Sequence, residues 1–552
     1  MKKNLTIALM ALLAITACKK SALNTADENN TDPSLVVNDA TIYAPGLDDQ
    51  YNILLNTTGY NPKFMTVQEP WEQTTPRNYQ LGLVDSKANM IRYPGGTWGS
   101  YFDYDHNKMF PKMASADPNG WVNTGKINNT SIANNIANDA QKVNSVADLQ
   151  YAASGGGSGQ TVNVVFQMYM ITPGWDYYHS IHPSWAAPNP GSSNLNDTWY
   201  KMLDDRYNRF RDMLIRANTT GTYHVPLRFI ELGNEYYFGD DYQVEAFPDG
   251  GIYGKAANYI ANKLKNDAGL NLPANVRIAA TASCVSSGTR STNWDSLLKG
   301  TLDRDLVGYV TMHMYKSFET PTTYNEANFQ NKVVQWIQDV NTKFTNSNAL
   351  STFIEPASGQ PWKIWYTETN ANWEGDDDDN VSQDQRTWAQ SLIEAYSAQH
   401  LYDRGSATMY LQFQFNNQVR DNSDIVGGLR LYDRALALIP FMEASKDATS
   451  TARISFVGTG LPTLPGNPKG VVAGYCFTTA ASIKKCFLIN LSGSDKHLNL
   501  GAHIFTSGSS TVHVKSYNNT SIGSTANATL NNNSYTKTDV TLLPYSVNYV
   551  YQ

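Results

Sequence analysis

The sequence is short of the residues that mark several common kinds of site. It has four cysteines in 552 residues, and no Cys/His spacing has the form of a zinc site. No glycine-rich phosphate fingerprint follows the first strand-like run, which counts against a doubly wound nucleotide-binding sheet. No predicted element carries a cluster of Lys and Arg, and the formal net charge is −7, which argues against a nucleic-acid partner. Past the N-terminal segment, no run is long and apolar enough to cross a bilayer.

What is present is bulk and aromaticity. A hydrophobic content of 41% over this length allows one large domain and a smaller one. The 33 Tyr and 12 Trp suit the C–H faces of sugars, although packing accounts for most of them. Met1-Lys2-Lys3 is a basic start, Leu5 to Ile15 is an apolar core too short to span, and Ile15-Thr16-Ala17-Cys18 follows. This segment resembles a bacterial lipoprotein signal, with Cys18 as the lipidated residue. The expectation is a signal over 1–18, a polar tether over 19–35, and an exported lipoprotein on the periplasmic side or the cell surface of an outer membrane, touching the membrane through its lipid anchor only. Cys476 and Cys486 lie on two strand-like runs joined by a short turn, so they could face each other, and a disulfide is allowed there. Cys284 reads as a buried small hydrophobe.

From about residue 36 to 447, strand-like and helix-like runs alternate. Strands are predicted to end near 67, 93, 171, 233, 283, 314, 367 and 414, the first being Gly59 to Val67. Most are followed by amphipathic stretches such as Trp199 to Ala217 and Phe329 to Phe344. Eight such units predict an α/β fold of the (β/α)8 TIM-barrel kind. Over 448–552 helical periodicity gives way to short β runs between Asn, Gly, Ser and Thr clusters, which predicts an antiparallel β-sandwich. Val36 to Tyr43 reads as a strand that could join it.

Two of the barrel runs stop at a carboxylate. Leu227 to Leu232 is nearly continuous in apolar residues, as in a strand buried on both faces, and Gly233 then allows a turn that leaves Asn234 and Glu235 at its carboxyl end. Lys363 to Thr367 is a second short strand, ending in Glu368. Two strand-end glutamates on the catalytic face of a barrel are what a retaining glycosidase requires, one as acid and base, the other as nucleophile.

Further positions are similar to those of the large clan of (β/α)8 retaining glycoside hydrolases, especially the alpha-L-arabinofuranosidases, with the heparanase-like β-glucuronidases as relatives. Arg92-Tyr93-Pro94-Gly95-Gly96 resembles their second-strand motif, His313-Met314-Tyr315 their sixth-strand His-x-Tyr, and Gln412 sits where a Gln is frequent near the eighth strand. The Leu542 to Val547 ending resembles the last strand of the associated sandwich. Thr97 stands where those enzymes usually have Asn, and Glu69 is the candidate for their first-strand Glu.

The resemblance implies Glu235 as acid/base and Glu368 as nucleophile. By physical argument, Glu235 must start protonated, which a hydrophobic wall and a nearby anion would favour. Arg92 and Tyr315 are the expected donors to Glu368, Asn234 would bond the hydroxyl next to the anomeric carbon, and His313 would orient neighbouring polar groups. Trp98, Trp175 and Trp373 follow strand ends and are candidate sugar platforms. Asp376 to Asp379 read as a solvated acidic loop rather than a calcium site. The chemistry calls for no metal and no organic cofactor. The expected function is therefore carbohydrate hydrolysis with retention. The alternatives are a β-glucuronidase or endo-β-glycanase of the same clan, or a glycan-binding lipoprotein on an inactive barrel.

Overall fold

The computed structural model describes residues 36–43, 53–55, parts of 87–157, all of 162–283 and most of 288–552, the larger exceptions there being 346–361 and 374–386. Cys18, Glu69, Cys284, Asp376 to Asp379 and the stretch Gly59 to Val67 lie outside the described residues.

Eight parallel strands form one sheet in chain order: Ile53–Leu55, Met90–Tyr93, Asn163–Met168, Phe229–Leu232, Arg277–Thr281, Tyr309–Phe318, Lys363–Trp373 and Ala407–Gln412. Ile53–Leu55 pairs with the eighth strand and comes back into contact with the second, so the sheet curls toward closure as a barrel-like layer. Among the described residues the first strand of this sheet is this apolar triplet, which lies upstream of the expected 59–67. Helices alternate with the strands on the outside of the sheet. Thr198–Thr219 is capped by Asp197, whose carboxylate accepts from the Trp199 amide, and it buries Leu203, Tyr207, Phe210 and Leu214 along one stripe.

The strands bury their inward residues in layers two positions apart, the period of a strand. Met90, Val165, Phe229, Ala279 and Trp365, with Tyr309 against them, form an apolar plug. Two residues further along the same strands stand Arg92, Gln167, Glu231, Thr281, Thr311 and Thr367, all polar and all buried. The barrel interior therefore changes from oil to hydrogen bonds within one step, toward the ends of the strands where Asn234, Glu235 and Glu368 lie.

The C-terminal residues, joined by Val36–Tyr43, form a seven-stranded antiparallel sheet in the order Val36–Tyr43, Ala448–Phe456, Val472–Thr479, Lys484–Asn490, Ser546–Tyr551, Thr511–Asn518, Thr529–Thr536. A full second sheet, which the sandwich expectation called for, is not among the described residues. There is a two-stranded ribbon, Lys496–Leu498 with Val540–Leu542. Helix Asp433–Ser445 does the covering instead, with Phe441 edge-on to Phe477 and Phe487. Cys476 and Cys486 are opposite each other in register, both buried and both free thiols.

Candidate active site

The fourth strand delivers its carboxylate through a turn that few residues could make. Gly233 has φ +98°, and a Cβ there would lie 2.1 Å from the Tyr236 ring. Glu235 itself has φ +47°, a left-handed conformation that costs a non-glycine residue roughly 1 kcal/mol or more and is kept where surroundings over-determine it. Those surroundings are explicit. The Phe238 amide donates to the Glu235 carbonyl at 3.0 Å, the Met170 amide donates to Tyr236 Oη at 2.8 Å, and Tyr253 Oη donates to the Leu232 carbonyl.

The seventh strand reaches the same place by a bulge. Its register against the sixth strand slips between Tyr366 and Glu368, which sets Glu368 beside His313. The slip also lets neighbouring residues work on one side: Thr367 Oγ1 donates to Glu231 Oε1 at 3.2 Å while Glu368 accepts from Arg92.

Arg92 is the hub. Fully buried, it donates from Nη1 to Glu368 Oε1 (2.6 Å), from Nε to Glu231 Oε2 (2.6 Å), and from Nη2 to Glu231 Oε1 (2.9 Å) and Asn234 Oδ1 (2.7 Å). Burial works against its charge, but the two carboxylates outweigh it and hold the guanidinium more firmly protonated than usual. Asn234 Nδ2 in turn donates to Thr97 Oγ1 at 3.2 Å, so the threonine at the Asn position of the resembled motif is engaged in the site. Gln167 Nε2 donates to the Gly96 carbonyl at 3.1 Å and the Gly233 carbonyl at 3.4 Å, tying the second and fourth strand ends together.

His313 stands between the two glutamates, its Nδ1 2.7 Å from Glu235 Oε1 and 3.3 Å from Glu368 Oε2. One oxygen of each glutamate and the imidazole nitrogen lie within 4.8 Å of one another. Three such ligand atoms could reach a common cation, but Nδ1 already bonds Glu235 and the Arg92 charge already sits on Glu368, so the arrangement reads as an ion-pair network. Burial lowers the proton affinity of His313, and Glu368 and Glu235 more than restore it, leaving it above the usual imidazole value. For Glu235, burial pushes upward, but the charge and hydrogen bond of His313, the Tyr237 hydroxyl (3.2 Å) and Arg92 pull it below the usual carboxylate value. This corrects the expectation of a raised Glu235. The neighbouring anion is present, but the imidazole of His313 bonds Glu235 directly and outweighs it.

Glu235, Glu368, Asn234, Arg92 and His313 are thus brought together. Trp175 opens the helix after the third strand, half-buried against His179. Trp98, Tyr315, Trp373 and Gln412 are described by their backbones alone: Trp98 in the short helix after the second strand, Tyr315 and Trp373 on the sixth and seventh strands, Gln412 at the end of the eighth. Sequence reasoning missed Glu231, Gln167 and Tyr237. A signal for the first was available: a buried acid in an otherwise apolar strand needs a cation, and Arg92 occupies the same position of another barrel strand.

The fold is that of known glycoside hydrolases. The chain superposes on a family 51 alpha-L-arabinofuranosidase from Bifidobacterium longum with a TM-score of 0.60 at 12% identity, covering 94% of this chain and 99% of that one. An alpha-L-arabinofuranosidase from Thermotoga maritima, solved with arabinose, gives 0.57 at 11% identity over 94% and 99%. A 4-O-alpha-L-rhamnosyl-beta-D-glucuronidase from Fusarium oxysporum 12S gives 0.51 at 14% identity over 95% and 99%. No protein-family model and no curated protein sequence matches the chain. At these identities the likeness is one of fold, and the chemistry is argued from the side chains.

Proposed function

We propose that the chain is an exported, retaining glycoside hydrolase of arabinofuranosidase-like specificity, acting on polysaccharide or oligosaccharide. The observation that carries this reading is the spacing of Glu235 and Glu368, with an oxygen of each within 4.8 Å of the other. Retaining enzymes hold their carboxyl groups about 5–5.5 Å apart, whereas inverting enzymes leave about 6.5–9.5 Å for a water. The two environments also differ as the two roles demand. Glu368 is nearly sealed, at 6% side-chain exposure, and carries the Arg92 N–H that keeps it an anion; Glu235 is more open, at 17%, where a leaving group departs.

In this mechanism Glu368 attacks the anomeric carbon and forms a covalent glycosyl-enzyme. The proton for the departing oxygen starts on the Glu235–His313 pair and is delivered through Glu235, with transfer along the 2.7 Å bond turning imidazolium and carboxylate into imidazole and carboxylic acid. Glu235 then takes a proton from a water whose oxygen attacks the anomeric carbon, the bond to Glu368 breaks to restore its carboxylate, and the sugar leaves with its anomeric configuration retained. Asn234 bonds the hydroxyl beside the anomeric carbon. Arg92, the cation at the centre of this network, is engaged by two carboxylates and an amide oxygen. Arg92 is thereby committed within the protein, and a uronate carboxylate would have to be met by another cation.

The test is a panel of nitrophenyl glycosides that includes the α-L-arabinofuranoside. Glu368→Ala abolishes turnover, and azide gives the glycosyl azide of inverted configuration. Glu235→Ala lowers kcat/KM by about 10²–10⁴-fold for poor leaving groups and less for activated ones. Unchanged activity in either variant overturns the assigned roles, and a free sugar of inverted configuration overturns the mechanism. Export as a lipoprotein is tested separately: Cys18→Ala moves the protein from the detergent-soluble membrane fraction to the aqueous one, and an unmoved protein refutes the anchor.

A further inference from the structure

Glu231 is a fully buried charge that double displacement does not use. It lies in the polar layer beneath the site, and each contact described at its carboxylate comes from a donor: Nε and Nη2 of Arg92 at 2.6 and 2.9 Å, and Thr367 Oγ1 at 3.2 Å. The two arginine bonds are edge-on and bidentate, the geometry that fixes a guanidinium in its plane. With Nε and Nη2 held in this way the guanidinium plane is fixed, and Nη1 donates to Glu368 Oε1 at 2.6 Å.

We propose that Glu231 is a positioning residue for the nucleophile. Its two oxygens orient Arg92 toward Glu368, and its negative charge offsets part of the guanidinium's, so that Glu368 stays anionic without losing its nucleophilicity. The inference rests on reading Glu368 as the nucleophile. An undivided, buried arginine beside a carboxylate would stabilise the anion more strongly, and a more stable anion is a weaker attacking group. Of the charged and titratable groups around Glu231, Arg92 from the second strand pairs with it directly, Glu368 from the seventh strand and His313 from the sixth lie beyond that arginine, with Glu235 on the far side of His313, and Tyr253 from helix Gly250–Asn266 is near enough to feel its charge, with burial holding that hydroxyl well above its ordinary value. Of these, Glu368 and His313 are the reporters.

The experiment separates charge from geometry with Glu231→Gln and Glu231→Asp in the full chain. In Glu231→Gln, kcat/KM falls about 10²-fold, the loss expected of a misplaced reacting group. The acid limb of its pH profile moves to lower pH, because Arg92 now acts on Glu368 alone. Glu231→Asp keeps the charge but shortens the reach, so the limb stays in place while kcat/KM still falls. A third readout needs no substrate: the titration of His313, followed by NMR of ¹³C-labelled imidazoles among the nine histidines and assigned with His313→Gln. Its midpoint falls in Glu231→Gln and stays at the wild-type value in Glu231→Asp.

Three outcomes overturn the proposal. One is a Glu231→Gln protein whose pH limb and His313 midpoint match the wild type and whose rate falls only with the fraction of titratable active sites. Another is a Glu231→Asp protein with wild-type kcat/KM, and the third is a His313 midpoint that moves equally in both variants. If the wild type hydrolyses no glycoside in the panel, the glycosidase reading fails, and the NMR titration still decides whether Glu231's charge is coupled to the site.

Discussion

Both halves of the molecule bury polar side chains, but they satisfy them in opposite ways. In the barrel the buried groups include charges linked across strands by ion pairs, with Arg92 between Glu231 and Glu368 and His313 between the two glutamates. In the C-terminal sheet they are neutral. Asn490 Nδ2 donates to the Ser494 and Leu543 carbonyls, both at 2.9 Å, and its Oδ1 accepts from the Ser492 amide and hydroxyl. Asn548 Nδ2 donates to the Leu488 carbonyl and Ser546 Oγ, and its Oδ1 accepts from Ser516 Oγ at 2.5 Å. A neutral network can be closed within the protein and then fixes register. A charged one is expensive to bury and is kept where its charges act on something else.

The contrast can be broken most forcefully at Arg92. Arg92→Leu strands two buried carboxylates, so urea unfolding should show a loss of about 3–5 kcal/mol together with loss of turnover. A variant that keeps its stability would mean the barrel network is no more costly to disrupt than the sheet's. Asn548→Ala should cost less, about 1–3 kcal/mol for the buried partners left behind, with kcat/KM of the folded fraction unchanged. Any change in kcat/KM would show that the sheet's polar groups reach the site.

The smallest effect is one of pH. The imidazole of His313 is raised above its ordinary 6.5, so its contribution to stability is complete below that value and is lost as pH climbs through the higher folded one. Glu235 is lowered below its ordinary 4.5, so its contribution is complete above that value and is lost as pH falls through the lower folded one. The ion-pair network therefore stabilises the fold most between about 4.5 and 6.5. Replacing His313 by Gln should flatten the alkaline fall of Tm against pH, while Asn548→Ala should lower the wild-type curve without changing its shape.

Much of the site was legible because its chemistry coincides with an interruption of pattern. An apolar run that stops at Asn234-Glu235, another that stops at Glu368, and a third that ends Arg92-Tyr93-Pro94-Gly95-Gly96 are visible without coordinates, and these side chains converge. The pairing of Glu231 with Arg92 was not, because the partners are 139 positions apart and the strand around Glu231 reads as apolar. Nor was the direction of the Glu235 shift, which depends on which of two charged neighbours is nearer. The first strand escaped because Ile53–Leu55 is three residues long, too short to show any period. That helix Asp433–Ser445 packs on the C-terminal sheet could not be read in advance, because it is a tertiary choice that alternation cannot reveal.

The outermost strand of the C-terminal sheet, Val36–Tyr43, comes from the start of the described chain and pairs with Ala448–Phe456, about four hundred residues on. It works as a clasp. A ribosome must release the whole barrel before this strand finds its mate, so the sheet's rim stays open until synthesis is nearly finished. Trimming the chain from its beginning would leave that rim bare and ready to pair with another molecule, even with every barrel residue intact.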